Sequence, residues 1–417
     1  MTAKRRVVVT GIGVATALGL DEHAFWERLA AGVSGVSRLG GSDQTDLRVA
    51  HASQIESPLL LEALEALGLA PTERAVDLAL LVAAQALQNA GLLPAGPPPP
   101  QRIGAIFGTG HGPAHAIHDA WMDFTAKGPR GLRPTAVPRC MANAICAQVS
   151  MRFRLTGPNY AVVSACTSST TAIGIGFRMI RDGYADAVLC GGAESPLDRG
   201  SLAAWSRLGV MSKNPDPARA CRPFDRDRDG FVIGEGAAAL LLEALDVARA
   251  RGAACRGEIA GFGESSDAEH ITRPSVAGQT QAIRAALADA AIQPERIGFV
   301  NAHGTATRAN DECESLSLRQ ALGAAADAVP VSANKSFFGH LLGAAGAVET
   351  VAALLALERR TLPPNLNLDH PDPACPLRFA PAHATPCDAE YALKNSFAFG
   401  GNNGVLVLRR GPTESAP

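Results

Sequence analysis

Short apolar blocks alternate with longer helical stretches through most of the chain, a pattern that predicts an α/β protein. The first block, Val7-Val-Val, is strongly β-forming and predicts a strand that enters a glycine turn at Gly11 and Gly13. Asp21 caps a helix running to about Ala31, where Gly32 stops it. An Ala/Leu-rich stretch over 72–91 predicts another helix, and Gly96-Pro-Pro-Pro-Pro100 a rigid surface connector. Arg102 to Gly108 reads as the next strand. Residues 161–164 are apolar and β-compatible, and 168–181 follow as a helix with many small residues. Ala185 to Cys190 predicts a strand that ends at Gly191-Gly192. A second half begins near residue 257. There Ile297–Asn301 and Val329–Ser332 read as strands, and Leu341–Arg360 as a long helix with Gly343 and Gly346 near its start. Tyr391–Ser396 and Gly404–Leu408 would be strands flanking a glycine turn. Both halves place polar reactive residues just past strand ends, where open α/β sheets build their sites.

Composition narrows the class. With 417 residues, 47% apolar and 19% charged, the chain can bury one large core or two medium ones. A net charge of −2 argues against a bulk nucleic-acid or membrane binder. Nine cysteines without a C-x-x-C pair give no disulfide framework and no zinc spacing, so a reducing, cytoplasmic setting fits. Lys4-Arg5-Arg6 before the run Val7–Leu20 mimics a secretory signal, but Thr10, Gly11 and Gly13 interrupt it. No stretch is long and apolar enough to span a bilayer. Gly11-Ile-Gly13-Val-Ala-Thr16 starts like a dinucleotide fingerprint, yet Thr stands where the third glycine belongs, so no NAD is expected.

Cys166 carries the most chemistry. It lies in Ala161-Val-Val-Ser-Ala-Cys166-Thr-Ser-Ser, between the predicted strand and helix. A thiol there faces the free N–H groups of the helix, whose dipole favours the thiolate. A small buried core cysteine is the ordinary alternative. Its company decides the matter. Asn301-Ala-His303-Gly304-Thr305-Ala-Thr307 places an imidazole at a strand end, and Lys335-Ser-Phe-Phe-Gly-His340 places an ammonium and a second imidazole in one loop. Two neutral imidazoles offer N–H donors to a developing enolate or oxyanion without adding permanent charge. Glu349, on the small apolar face of the next helix, is the expected partner of Lys335. Asp311 and Glu314 fit a helix cap and its reciprocal partner. His111, His115 and His118, followed by Asp119, have metal-like spacing, but no further ligand motif completes a site and no metal is expected.

These motifs resemble the elongating β-ketoacyl-acyl-carrier-protein synthases of the Cys-His-His type. The matching segments include Val163-Ser-Ala-Cys166-Thr-Ser, Gly191-Gly-Ala-Glu-Ser195, Arg222-Pro-Phe-Asp-Arg-Asp-Arg-Asp-Gly-Phe231 with Gly234-Glu-Gly236, the two histidine loops, and Asn395-Ser-Phe-Ala-Phe-Gly-Gly-Asn402. They cover almost the whole chain in family order. The resemblance implies the thiolase fold: duplicated halves, residues 1–256 and 257–417, in a five-layered α-β-α-β-α core. It implies that Cys166 accepts an acyl group, that His303 and His340 assist malonyl decarboxylation, and that Lys335 and Glu349 support them. The N–H groups of Cys166 and Phe399 would form an oxyanion hole, with Phe399 gating the pocket inside the loop Ala398–Asn403, which includes Gly400. Thr305 and Thr307 would hold a phosphopantetheine arm, which arrives on the carrier protein, so the enzyme needs no cofactor of its own. The implied partners are an acyl carrier protein and a second subunit, either another copy or a chain-length-factor-like chain. No nucleic acid or membrane is implied.

The chain also departs from the family. Phe337 and Phe338 replace the usual Met and Thr, and Ala398 replaces a hinge glycine. His111 stands where an apolar residue is common near the acyl pocket, and Trp205 where a Phe is common. These four positions and Ala398 point away from an ordinary saturated fatty-acyl substrate and toward a specialised polyketide or polyene chain. Lys127, Arg130, Arg133 and Arg207 are the expected dock for an acidic carrier protein.

Overall fold

The computed structural model describes residues 4–39, 51–93 and 102–411. The proline connector expected at Gly96–Pro100 lies outside the described residues. One large sheet organises the molecule. Its ten strands, numbered in chain order, are β1 (Val7–Ala15), β2 (Ile103–Gly108), β3 (Asn159–Val162), β4 (Ala187–Glu194), β5 (Gly236–Ala244), β6 (Gly257–Ser266), β7 (Ile297–Asn301), β8 (Val331–Ser332), β9 (Tyr391–Phe397) and β10 (Asn402–Arg410). They lie in the order β8-β7-β9-β10-β6-β1-β5-β4-β2-β3.

That order contains a repeat. From one edge inward, the first five strands run 3-2-4-5-1; the second five, renumbered from their own first, run 3-2-4-5-1 from the other edge. Strand directions agree as well. In each half the second strand is parallel to the third and fourth, and the remaining two pairings are antiparallel. The halves join where β1 and β6 pair antiparallel, Val7 opposite Ile259.

Seven helices matter to the site: α1 (Arg74–Asn89), α2 (Ala114–Lys127), α3 (Ser168–Arg181), α4 (Arg199–Leu208), α5 (Val276–Asp289), α6 (Arg308–Leu322) and α7 (Ala345–Glu358). α1 covers β1 and β5, α5 covers β6 and β10, and α6 packs beside α5. α3 and α7 pack on each other and on strands of both halves, which makes them the middle layer of α-β-α-β-α. The sequence of α7 explains its place. Every residue from Ala345 to Leu357 is buried, and a helix apolar all round belongs in an interior. Glu349 is the single charge on that buried stretch.

Several boundaries move for one physical reason, the close approach of backbones. β1 continues through Gly11 and Gly13 with no turn, after a bulge between Val9 and Gly11. A Cβ at Gly11 would lie 2.0 Å from the Ala86 carbonyl oxygen, and one at Gly13 2.0 Å from that of Val82. These glycines let α1 lie against the strand. β4 likewise continues through Gly191-Gly192, where a Cβ on Gly191 would meet the Ala238 carbonyl at 2.2 Å. The helix expected from Leu341 begins only at Ala345, after a 3₁₀ turn over Leu342–Ala344. Gly343 there touches the backbone at Gly110, where a Cβ would fall 2.2 Å from the amide nitrogen. β5 is unassigned by pattern, because an unbroken apolar run suits a buried strand and a buried helix equally.

Candidate active site

The site begins at the end of β3. The chain makes one 3₁₀ turn over Ala165–Thr167 and then enters α3. Ala165 has φ +50°, a left-handed conformation that a Cβ-bearing residue adopts only when its surroundings hold it. Here Ser168 Oγ donates to the Ala165 carbonyl at 2.6 Å and accepts the Ser164 N–H at 2.9 Å. The turn sets the Cys166 thiol against a cavity of about 230 Å³. Phe399, in the tight β9–β10 loop, aims its N–H at the sulfur. Burial pushes the thiol up to about 12, with Lys335 and the Phe399 N–H pulling the other way. The helix start expected to favour the thiolate is therefore outweighed by dehydration, and the resting group is a thiol.

His303 follows β7 in a loop stapled from behind. Glu314 accepts the N–H groups of His303 and Gly304, both at 2.8 Å. Asp311 accepts those of Thr305 at 3.1 Å and Phe224 at 2.8 Å, and burial pushes its carboxyl up to about 7. The expected cap-and-partner role for Asp311 and Glu314 does not hold, since Thr307 caps α6 through the Asn310 N–H. Both acids face the loop because its consecutive N–H groups have no sheet partner.

Lys335 and His340 follow β8. His340 Nε2 lies 3.1 Å from Cys166 Sγ, and its Nδ1 accepts the Leu342 N–H at 3.1 Å. His303 Nδ1 lies 3.3 Å from Lys335 Nζ, which also donates to the His303 carbonyl. A donor thus faces each Nδ1, so each neutral ring carries its proton on Nε2. The two rings stand 5.4 Å apart at 81°. Burial, followed by repulsion from Lys335, holds both imidazoles well below their ordinary pKa. Glu349 bridges two ammonium groups, Lys335 at 2.5 Å and Lys394 at 2.7 Å, all three fully buried. Burial lowers the pKa of Lys394, opposed by Glu349. The Lys335–Glu349 pair matches expectation. Lys394 is the missed member, and its signal is a lone charge in the apolar strand Tyr391–Phe397.

Cys166, His303 and His340 bring three potential metal-ligand atoms within 4.8 Å of one another. The chemistry opposes a metal as the residues stand. Each Nε2 must offer a lone pair, yet each carries the proton, and two lysines add positive charge nearby. The expected histidine series is structural: His111 N–H binds Glu194 at 2.9 Å, His115 Nε2 meets Ser195 Oγ at 3.1 Å, and His118 Nδ1 lies 3.5 Å from Asp198. Together they zip the start of α2 to the segment before α4.

The remaining expectations divide. Thr305 and Thr307 line the cavity with their hydroxyls 2.8 Å apart, and Trp205, Ala398 and Phe399 are also on its wall. Phe337 and Phe338 are not. Both are fully buried in the main core, Phe338 against Phe25, because their short helix turns them away from His340 toward the helix at Glu22–Ala30. His111 stands behind Trp205 rather than on the wall, and Gly400, at φ +85°, shapes the tight loop. Phe231 and Phe397 are wall residues that sequence reasoning missed.

Residues 4–248 match the family described as Beta-ketoacyl synthase, N-terminal domain, and residues 256–369 match its C-terminal domain. The chain belongs to the β-ketoacyl synthase family. It is 40% identical over 414 residues to 3-oxoacyl-[acyl-carrier-protein] synthase 2 of Coxiella burnetii, covering 98% of this chain and 99% of the relative. The corresponding Synechocystis protein is 38% identical over 413 residues, 98% of each chain. Among solved structures, the ishigamide ketosynthase/chain length factor matches with a TM-score of 0.90 at 35% identity, over 98% of this chain and 100% of that one. A type II PKS ketosynthase in complex with its acyl-carrier protein matches with a TM-score of 0.90 at 30% identity, over 98% and 99%. This β-ketoacyl synthase has the thiolase fold. Its two matched parts meet between β5 and β6, so the cysteine comes from one and both cavity histidines from the other.

Proposed function

We propose that this chain catalyses the decarboxylative Claisen condensation of an acyl chain on Cys166 with malonyl-acyl-carrier protein, giving β-ketoacyl-carrier protein. One observation carries the reading: a thiol and two imidazoles with protonated Nε2 atoms converge on a single cavity. Residues 1–256 supply the nucleophile; residues 257–417 supply His303, Lys335, His340 and Phe399. Cys166 attacks the thioester of an acyl-carrier protein, its proton ends on the departing carrier thiol, and the acyl group stays on sulfur. Phe399 N–H and Cys166 N–H donate to the tetrahedral oxygen and stabilise its charge. Malonyl-carrier protein then loses CO₂, and the enolate oxygen receives the Nε2–H groups of His303 and His340. The enolate carbon attacks the acyl carbonyl, and Cys166 leaves as the thiolate and regains from solvent the one proton that the reaction consumes.

Phosphopantetheine reaches the cavity on the carrier protein, past Thr305 and Thr307, and the chain needs no cofactor of its own. A reducing, cytoplasmic setting is part of the proposal, in keeping with nine cysteines and no C-x-x-C pair. Among the described residues no helix is long and apolar enough to cross a membrane. Reconstitution with acyl- and malonyl-carrier proteins tests the reading by mass spectrometry. A carrier-bound product two carbons longer and bearing a keto group is expected. Acyl transfer without a new C–C bond would overturn it.

The dock for the carrier is assigned to Lys127, Arg130, Arg133 and Arg207, all exposed. Lys127 pairs with Asp123 at 3.0 Å, whereas Arg207 adjoins Leu208 on the cavity wall. Charge reversal at Arg130 and Arg207 is expected to raise KM for acyl-carrier protein about tenfold and leave a small acyl thioester unaffected. Equal losses with both donors would remove the docking role. The partner subunit fits the β3 edge of the sheet. Tyr160 and Val163 are exposed on and just after β3, whose outer side has no strand beside it among the described residues, and Trp121, Met122 and Val137 are exposed on α2 and the short helix that follows it. A second copy or a chain-length-factor-like subunit would cover them.

A further inference from the structure

Four aromatic rings face the cavity beside Cys166: Trp205, Phe231, Phe397 and Phe399. The chain is only 5% aromatic, so this wall is no average sample of it. Trp205 is the centre of the group. Its ring lies nearly parallel to Phe399, with centroids 6.4 Å apart at 21°, and edge-on to Phe231 at 5.8 Å and 71°. His111 closes behind it, edge-on at 5.8 Å and 86°. His111 is itself held, because Glu194 accepts its backbone N–H at 2.9 Å and lies 4.0 Å from its Nδ1. Glu194 is fully buried and also accepts the Gly343 N–H at 2.9 Å. His111, held in this way, leaves Trp205 little room to retreat from the cavity.

A wall of ring faces and edges backed in this way discriminates between acyl chains of equal length. A saturated chain loses torsional freedom at every methylene it lays along such a wall, whereas a conjugated chain arrives already flat. Ring faces and edges also attract a planar π-system as they attract one another. We propose that Trp205, positioned by His111, sets the substrate class of this condensing enzyme: acyl chains that are conjugated next to the thioester, in preference to saturated ones. The proposal rests on the condensing reading above.

Matched conjugated and saturated acyl-carrier proteins of equal length test it, with malonyl-carrier protein as the second substrate. Wild type is expected to favour the conjugated donor at least about tenfold in kcat/KM. Trp205→Leu should bring the ratio to within about twofold, mainly through a higher KM for the conjugated donor, and Trp205→Phe should keep most of it. His111→Leu should raise that same KM with kcat little changed, whereas a merely structural defect would depress both donors alike. Should Trp205→Leu fail to fold, the wild-type ratio and Trp205→Phe still decide. Condensation of both donors with equal efficiency, or a preference for the saturated one, overturns the specificity and leaves the condensing reading intact. Failure of both donors to acylate Cys166 overturns the reading beneath it.

Discussion

Incubated with a suitable acyl-carrier-protein thioester, the chain is expected to gain the mass of one acyl group, and the Cys166→Ala variant none. Nine cysteines could in principle react. Of these, Cys166 alone is on the wall of the cavity that holds both histidines. Cys146, Cys221 and Cys313 are buried, and dehydration pushes their thiols up to about 11, 12 and 12 with no imidazole against the sulfur. Dehydration acts on Cys166 too, but a thiolate forming there meets His340 Nε2 at 3.1 Å, the Phe399 N–H and the field of Lys335. Only the thiolate attacks, and the thiol titrates up at about 12. Acylation should therefore quicken steadily from about pH 7 to 9, as the thiolate fraction rises. Full acylation of the alanine variant would place the nucleophile elsewhere.

The second large effect belongs to the histidines. His303→Ala and His340→Ala are each expected to slow malonyl-carrier-protein decarboxylation by about 10²–10⁴-fold, the range for a positioned donor or acid–base group. Acyl transfer to Cys166 should suffer less, and less in His303→Ala, because His340 is the ring in contact with sulfur. The pH profile carries a sign. Both pKa values lie well below the ordinary 6.5, so the neutral rings persist as pH falls through that value. Protonation puts a hydrogen on Nδ1, against the Leu342 N–H in His340 and the Lys335 ammonium in His303. Decarboxylation should hold through pH 6.5 and fail only at distinctly lower pH. Wild-type decarboxylation rates in either variant would remove that histidine from the reaction.

What the sequence discloses, and what it withholds, follows from the range of each signal. Cys166, His303, Lys335 and His340 stand just past strand ends, and strand ends are marked by local pattern. Their convergence rests on the repeated strand order, which brings both sets of loops together. Glycines misled for the opposite reason. Gly11 and Gly13 look like a turn because the chain around them is all that sequence shows, whereas their purpose is the carbonyls of Ala86 and Val82 across the interface. Phe337 and Phe338 sit three and two residues from His340, yet one short helical turn sends them into the core. Lys394 is marked locally as the one charge of its strand, but the partner that lets it be wholly buried, Glu349, comes from another element.

The seam between the halves dictates an order of assembly. Val7 pairs with Ala244 and with Ile259, so the amino-terminal strand waits for partners more than two hundred residues downstream. Closing so long a loop is entropically unfavourable and slow, and contacts of this range form late in folding. β10 comes later still, since it inserts between β6 and β9 and carries the Phe399 loop on its leading end. On a ribosome, Cys166 would emerge and bury itself against α7 only after residue 345 had followed, and its Phe399 donor would come last. Until then the thiol has no pocket, no imidazole and no donor beside it, so the nascent chain carries no working nucleophile before the whole sheet is closed.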